Sequence, residues 1–426
     1  MRMDKRELKW DNMLAGIRVQ PDYLRGGAAA ALHAAAADLP LNAPSRVYLV
    51  GCGDSHYAGL ATRYAFERWS AVPTEALESL EFSRYAVHSA PPDALVIAVS
   101  NSGRVVRTVE CARVASERGI ASLGLTYNPA SPLADAARML LAWTYQDVGF
   151  GPGTLSYLAS LVGLYAVAVR LGQLNGRLDE RQAAGILDAI AASGDDVAAT
   201  IDANAQPSSE VASRLTGDGL VCILGGGPNY ATALFGMAKF IETAAYPAVG
   251  QELEEWAHEQ YFCTRAGTTT FVLAPSGASV DRAREQLQAV RDMDGQGIAI
   301  CAANDAATSQ LADAVLPVHL PSDELLSPLV TPLPLELVAL AFAQRLGRTM
   351  LGFDDDHRRA VNFRQIFGST DPLETPGSSA EKGISPERPA AELRSTDMPG
   401  GAEMDIDGSL SAAPLGAFGG SNASRI

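Results

Sequence analysis

Val47-Tyr-Leu-Val-Gly-Cys-Gly-Asp-Ser-His56 and Val221-Cys-Ile-Leu-Gly-Gly-Gly-Pro-Asn-Tyr230 are two versions of one pattern. In each, a short apolar run meets a glycine turn and gives way to small residues with helical spacing. The spacing predicts a first helix near Tyr57 to Glu67 and a second near Ala231 to Glu242. Each half then repeats the motif of apolar strand and Ser-Gly turn, in Ala94-Leu-Val-Ile-Ala-Val-Ser-Asn-Ser-Gly103 and in Thr270-Phe-Val-Leu-Ala-Pro-Ser-Gly277. Further strands are expected at Ser122 to Thr126 and at Ile298 to Ala302. Strands that are apolar throughout need cover on both faces, and intervening helices supply it through parallel crossovers. The predicted class is α/β, with two doubly wound, flavodoxin-like parallel sheets in tandem. Ligands of such sheets sit beyond the carboxyl ends of the strands, where the glycine turns lie.

The rest of the chain fits around this duplication. At 426 residues it exceeds one ordinary core, and 47% apolar with 19% charged residues is globular composition. The expected organisation is a helical lead-in over 1–44, a first domain over 45–175, a second over 205–350 and a C-terminal active-site segment over 351–368. Residues 371–426, rich in Gly, Pro, Ser and acids, carry too little apolar surface to offset ordering entropy and are expected to form a disordered tail. A net charge of −16 makes nucleic acid and anionic membranes poor partners, while a small anionic ligand needs only a few local donors. The five cysteines are scattered and lack a CxxC, so neither disulfides nor a metal site is expected. The charged N-terminus lacks the apolar run of a signal peptide, and Leu158 to Val169 ends at Arg170, too short to span a membrane. A cytoplasmic protein is expected.

Two turns can hold an anion. Ser100-Asn101-Ser102-Gly103 follows a strand and precedes a helix, presenting hydroxyls, an amide and backbone donors. Alone, it reads as an ordinary helix cap. Paired with Cys52-Gly53-Asp54-Ser55 on the neighbouring strand, it reads as a binding site. Gly53-Asp54-Ser55 also copies the nucleophile turn of GDSL esterases, with Asp354-Asp-Asp-His357 offering a DxxH pair, but the triad would have to join opposite ends of a duplicated fold. In the second half Lys239 and Glu242 lie at i and i+3, a spacing usual for a surface ion pair. With His258 downstream they supply a base, a cation and a second proton carrier, the set that moves a proton beside a sugar carbonyl.

These residues resemble the sugar isomerase (SIS) domain family, most closely the isomerase half of glucosamine-6-phosphate synthase and its relatives, over roughly residues 15 to 367. Val19-Gln-Pro21 is similar to the family's lead-in, Gly51-Cys-Gly-Asp-Ser55 and Ser100-Asn-Ser-Gly103 to its phosphosugar turns, and Thr154-Leu-Ser-Tyr157 to its Thr-Lys-Ser/Ala-Phe segment. Ala233-Leu-Phe-Gly-Met-Ala-Lys-Phe-Ile-Glu242 is similar to its catalytic helix. The resemblance implies that Glu242 transfers the proton, Lys239 supports it and His258 opens the sugar ring, in a homodimer whose neighbouring chain supplies the histidine. It implies aldose–ketose isomerisation, or a related deamination or deglycation, of a sugar phosphate without a cofactor. A non-catalytic sugar-phosphate sensor is the alternative. Ser55, Ser100, Ser102 and Arg104 are expected to hold the anionic end, with Thr154 beside them. Several positions depart from the pattern. Arg104 stands for a Glu, Val105 and Asp54 each for a Thr, Glu259-Gln260 for the Gly-Pro after the histidine, and Asn362 marks where a lysine is expected. Asp54 is expected to repel a phosphate about as strongly as Arg104 attracts it, unless it binds sugar hydroxyls. With no glutaminase segment at the start, glutamine-dependent ammonia transfer is not expected.

Overall fold

A computed structural model describes residues 10–216 and 219–368; the tail expected over 371–426 lies outside the described residues. Helices α1 (Trp10–Arg18), α2 (Gln20–Arg25) and α3 (Ala28–Ala37) lead into the first sheet. Its strands are β1 (Val47–Gly51), β2 (Thr74–Glu78), β3 (Leu95–Val99), β4 (Ala121–Thr126) and β5 (Met139–Ala142), in the order β2-β1-β3-β4-β5 with every pairing parallel. Between and after them run α4 (Asp54–Ser70), α5 (Ser79–Arg84), α6 (Val106–Glu117), α7 (Pro132–Ala136) and α8 (Leu155–Leu174). Helices α9 (Glu180–Asn204) and α10 (Pro207–Arg214) connect to the second sheet. That sheet comprises β6 (Val221–Gly225), β7 (Ala248–Glu252), β8 (Thr269–Ala274), β9 (Gln296–Ala302) and β10 (Ala314–Val318), again parallel, in the order β7-β6-β8-β9-β10. Its helices are α11 (Pro228–Ala244), α12 (Leu253–His258), α13 (Val280–Asp292), α14 (Ala306–Ser309) and α15 (Leu333–Leu346), followed by α16 (Asp356–Phe367).

The duplication extends to backbone angles. Gly53 (φ 54°, ψ −129°) and Gly227 (φ 55°, ψ −129°) cap α4 and α11, and both helices run 17 residues to a left-handed alanine, Ala71 or Ala245. A side chain at either glycine would be strained at that φ. The two helices begin three residues before the expected positions, because they start directly at the glycine caps. Asp54 and Pro228 then take the first helical position, which suits an acid by charge and a proline by its missing N–H.

Both faces of the central strands are buried, as their unbroken apolar character requires. Val47 and Leu49 join the large cluster that also holds Ile223 and Phe271 of the second sheet, while Tyr48 and Val50 turn to a separate cluster on the other face. The edge strands β2, β5, β7 and β10 went unread in the sequence. They are half-exposed and carry edge-tolerated residues such as Glu75, Gly250 and Pro317. The segment beginning at Leu158 is longer than its apolar run: α8 passes through Arg170 for 20 residues. It and Glu324–Leu346 are long and apolar enough to cross a membrane by length and composition, yet the most apolar 18-residue stretch of each is 89% buried within the fold, as in core helices. Helices α4 and α11 pack against each other, bringing the start of one to the last turns of the other.

Candidate active site

The glycine turn after β1 and the end of α11 meet in a cleft of about 420 Å³. Cys52, Gly53, Asp54, Ser55 and Asn101 line it from the first half, Glu242 from the second. Ser156, Tyr157 and Ser160 of α8, Arg107 of α6 and Gln365 of α16 complete much of the wall.

Lys239 lies beneath Glu242 with no solvent exposure, and its ammonium is fully engaged. It donates to Asp54 Oδ2 at 2.8 Å, Glu242 Oε2 at 2.6 Å and the Gly153 carbonyl at 3.0 Å, and lies 4.5 Å from the Phe235 ring centre. What looked like a surface pair at i and i+3 is therefore a three-member cluster joining residues 185 positions apart in the chain. A buried lysine would ordinarily shed its proton, but the two carboxylates outweigh desolvation and hold its pKa above the usual lysine range. One cation cannot fully satisfy two carboxylates. Burial first, and repulsion from Asp54, push the Glu242 pKa up to about 7 against the pull of Lys239. The Glu242 side chain keeps 30% of its surface open, toward the cleft. A carboxyl that both gains and loses a proton near neutrality, facing a cleft, is suited to proton transfer.

The anion-facing end is built from small polar groups. Asn101 Oδ1 accepts from Tyr145 OH at 2.8 Å and Trp143 Nε1 at 3.3 Å, which orients the amide and leaves its NH₂ without a protein partner among the described residues. Gly103 takes φ 65°, and a Cβ there would fall 2.1 Å from Ser131 Oγ, so the turn closes only with glycine. Asp54 Oδ1, Ser100 Oγ and Tyr157 OH are buried without a hydrogen-bond partner among the described residues. Such orphans at or beside one cleft mark polar groups available to a ligand. Burial raises the Tyr157 pKa well above its usual value, so its hydroxyl remains a donor.

Not every expected residue reaches the cleft. Arg104 turns into a separate groove, and the cation facing the cleft is Arg107, one helical turn later. Ser102 Oγ accepts from the Arg104 backbone N–H at 3.3 Å within the turn itself, and Ser100 lies buried below it. Thr154 is buried at the start of α8 against Gly16. His258 stands at the end of α12 with 68% of its side chain exposed, 3.5 Å from Glu254, outside this cleft of its own chain. Asp54, expected to face the anion, lines the cleft and is also paired through Oδ2 with Lys239. Among the described residues no histidine lines the cleft, and His357, the histidine of the GDSL reading, is exposed at the start of α16. Asn362 lines a neighbouring cleft that shares Glu242 and Gln365.

The SIS domain matches residues 41–170 and again 215–343, the same two sheets. The chain belongs to the SIS domain family. It is 28% identical over 303 residues to glutamine–fructose-6-phosphate aminotransferase [isomerizing] of Gloeobacter violaceus, covering 71% of this chain and 49% of that protein. The chain thus spans about half the length of the curated relatives it matches. The C-terminal domain of glucosamine-fructose-6-phosphate aminotransferase from Francisella tularensis superposes with a TM-score of 0.70 at 19% identity, over 80% of this chain and 97% of that one. Glucosamine-6-phosphate deaminase from Thermotoga maritima gives 0.61 at 18% identity, over 79% and 96%. At these identities the two structures establish a shared tandem SIS fold.

In that fold, two polar residues of the cleft wall and one buried acid behind it carried no signal of their role in the sequence. Arg107 and Gln365 sit on exposed helix faces and carry no motif. Glu336 on α15 is buried, accepts from Gln20 Nε2 at 3.1 Å, and is pushed up to about 8 by burial, in the electrostatic reach of Lys239 and Asp54. The Gln20 of the lead-in motif was the only signal for it.

Proposed function

We propose that this SIS protein is an enzyme that binds a sugar phosphate or amino-sugar phosphate and moves a proton between adjacent carbons, in aldose–ketose isomerisation or a linked deamination or deglycation. Glu242 is the base. It takes the proton from one carbon and returns it to the next, through an enediol or its amino equivalent. Lys239 is a positioning residue, since Asp54, Glu242 and the Gly153 carbonyl together occupy its ammonium. Ser55, Asn101, the turn amides at the positive end of α4, and Arg107 receive the anionic end. The exposed His258 acts on the ring in a neighbouring copy, within a homodimer.

The observation that carries this reading is the Glu242 carboxyl, poised near neutrality and open to a cleft of unpartnered polar groups. The names of the relatives, an isomerizing aminotransferase and a deaminase, support the same class of chemistry. The test follows deuterium from heavy water into C1 or C2 of bound hexose and hexosamine 6-phosphates. The native protein should incorporate label, and Glu242→Gln should slow incorporation by roughly 100-fold or more with little change in binding. Full exchange by the variant moves the base elsewhere. Binding with no exchange by the native protein favours the sensor.

A further inference from the structure

On the other side of the α6 entry lies a groove of about 460 Å³ whose charge is opposite to that of the chain. Four arginines line it, Arg84, Arg104, Arg107 and Arg113, against a single carboxylate, Glu110. Glu110 is nearly buried and binds two of them, Arg84 at 2.9 Å and Arg107, so these guanidiniums are held in place. Arg113 pairs at its own surface with Glu117 at 2.9 Å, and the Arg104 guanidinium has no protein partner among the described residues. The rest of the lining is apolar and includes Phe367.

A structural ion-pair network balances its charges, because like charges gathered in one concavity repel. This groove does not. Guanidiniums present planar forks matched to phosphate oxygens, and four of them exceed what one phosphate monoester can engage. We propose that the groove is a second anion site, taking a small polyphosphate, distinct from the sugar cleft and coupled to it through Arg107, which lines both. An anion that pairs with Arg107 in the groove neutralises charge that also faces the cleft, so its occupant should weaken binding of an anionic sugar, and the reverse must hold equally.

Isothermal calorimetry with inorganic pyrophosphate on the full chain, at fixed ionic strength, tests the site without reference to the chemistry of the cleft. The native protein should bind pyrophosphate, and Arg113→Gln and Arg104→Gln should each weaken it by about tenfold, the loss expected for a charge-assisted contact. Arg113 does not line the sugar cleft, so Arg113→Gln should leave hexose 6-phosphate affinity within about twofold. Pyrophosphate binding that survives both variants but falls with Ser55→Ala would locate the anion in the cleft alone and overturn the proposal. So would no binding at millimolar concentration. If hexose phosphates fail to bind while pyrophosphate behaves as described, the groove stands and the sugar assignment falls.

Discussion

Asp54→Asn tests the electrostatic logic of the cleft most directly. Asp54 and Glu242 grip one ammonium, at 2.8 and 2.6 Å, so their bonding oxygens lie no more than about 5 Å apart. At that distance two charges repel by roughly 3 kcal/mol in an effective dielectric of about 20, equivalent to about two pK units. The side chains retain 22% and 30% exposure, so screening reduces the effect, and about one unit is the expected shift. Removing the Asp54 charge should therefore lower the Glu242 pKa from about 7 toward 6. Lys239, left with one carboxylate, pairs more fully with Glu242 and pulls in the same direction. Carbon-13 NMR of labelled glutamate side chains would follow this titration directly, and the acidic limb of the exchange rate against pH should move with it. An unchanged or higher midpoint would refute the claim that Asp54 adds to the effect of burial in raising Glu242.

Other consequences follow from the same cluster. Lys239→Met strands two carboxylates against a buried apolar side chain and should cost about 3–5 kcal/mol at pH 8, measured by urea unfolding, with part recovered at pH 5 as Glu242 takes a proton. Glu336 has a folded pKa of about 8, above its unfolded value, so its contribution to stability is full below about pH 4.5 and is lost as pH rises through 8. Glu336→Gln keeps an acceptor for Gln20 and should leave the Tm unchanged at pH 4 but raise it at pH 9; an equal Tm at pH 9 would mean that the Glu336 pKa is not raised in the folded protein.

Much of the fold was legible because it depends on local pattern. Unbroken apolar strands, glycines at turns that require positive φ, and helical spacing repeat in both halves, and these alone specify two doubly wound parallel sheets. The edge strands were not legible: β2, β7 and β10 are interrupted by Glu, Gly or Pro, and β5 is apolar but only four residues long, too short a run to be recognised as a strand. The residues Asp54, Ser55, Asn101, Lys239 and Glu242 could be singled out by motif, and the resemblance to the SIS family joined them into one site.

What motif could not supply was direction. Arg104 and Arg107 differ by three positions, yet Arg104 lines only the groove while Arg107 lines the groove and the cleft, because α6 begins at Val106 and only from there does helical geometry set where a side chain points. In the same way, no motif showed that Asp54, at the cleft, also meets Lys239, which the packing of α4 on α11 brings to it from 185 residues away. The sequence determined which groups were available and which local elements would carry them. Which charges meet, and hence whether Glu242 titrates near neutrality, was decided by long-range packing, since the energy of a buried ion pair depends on distances and desolvation that no spacing along the chain encodes.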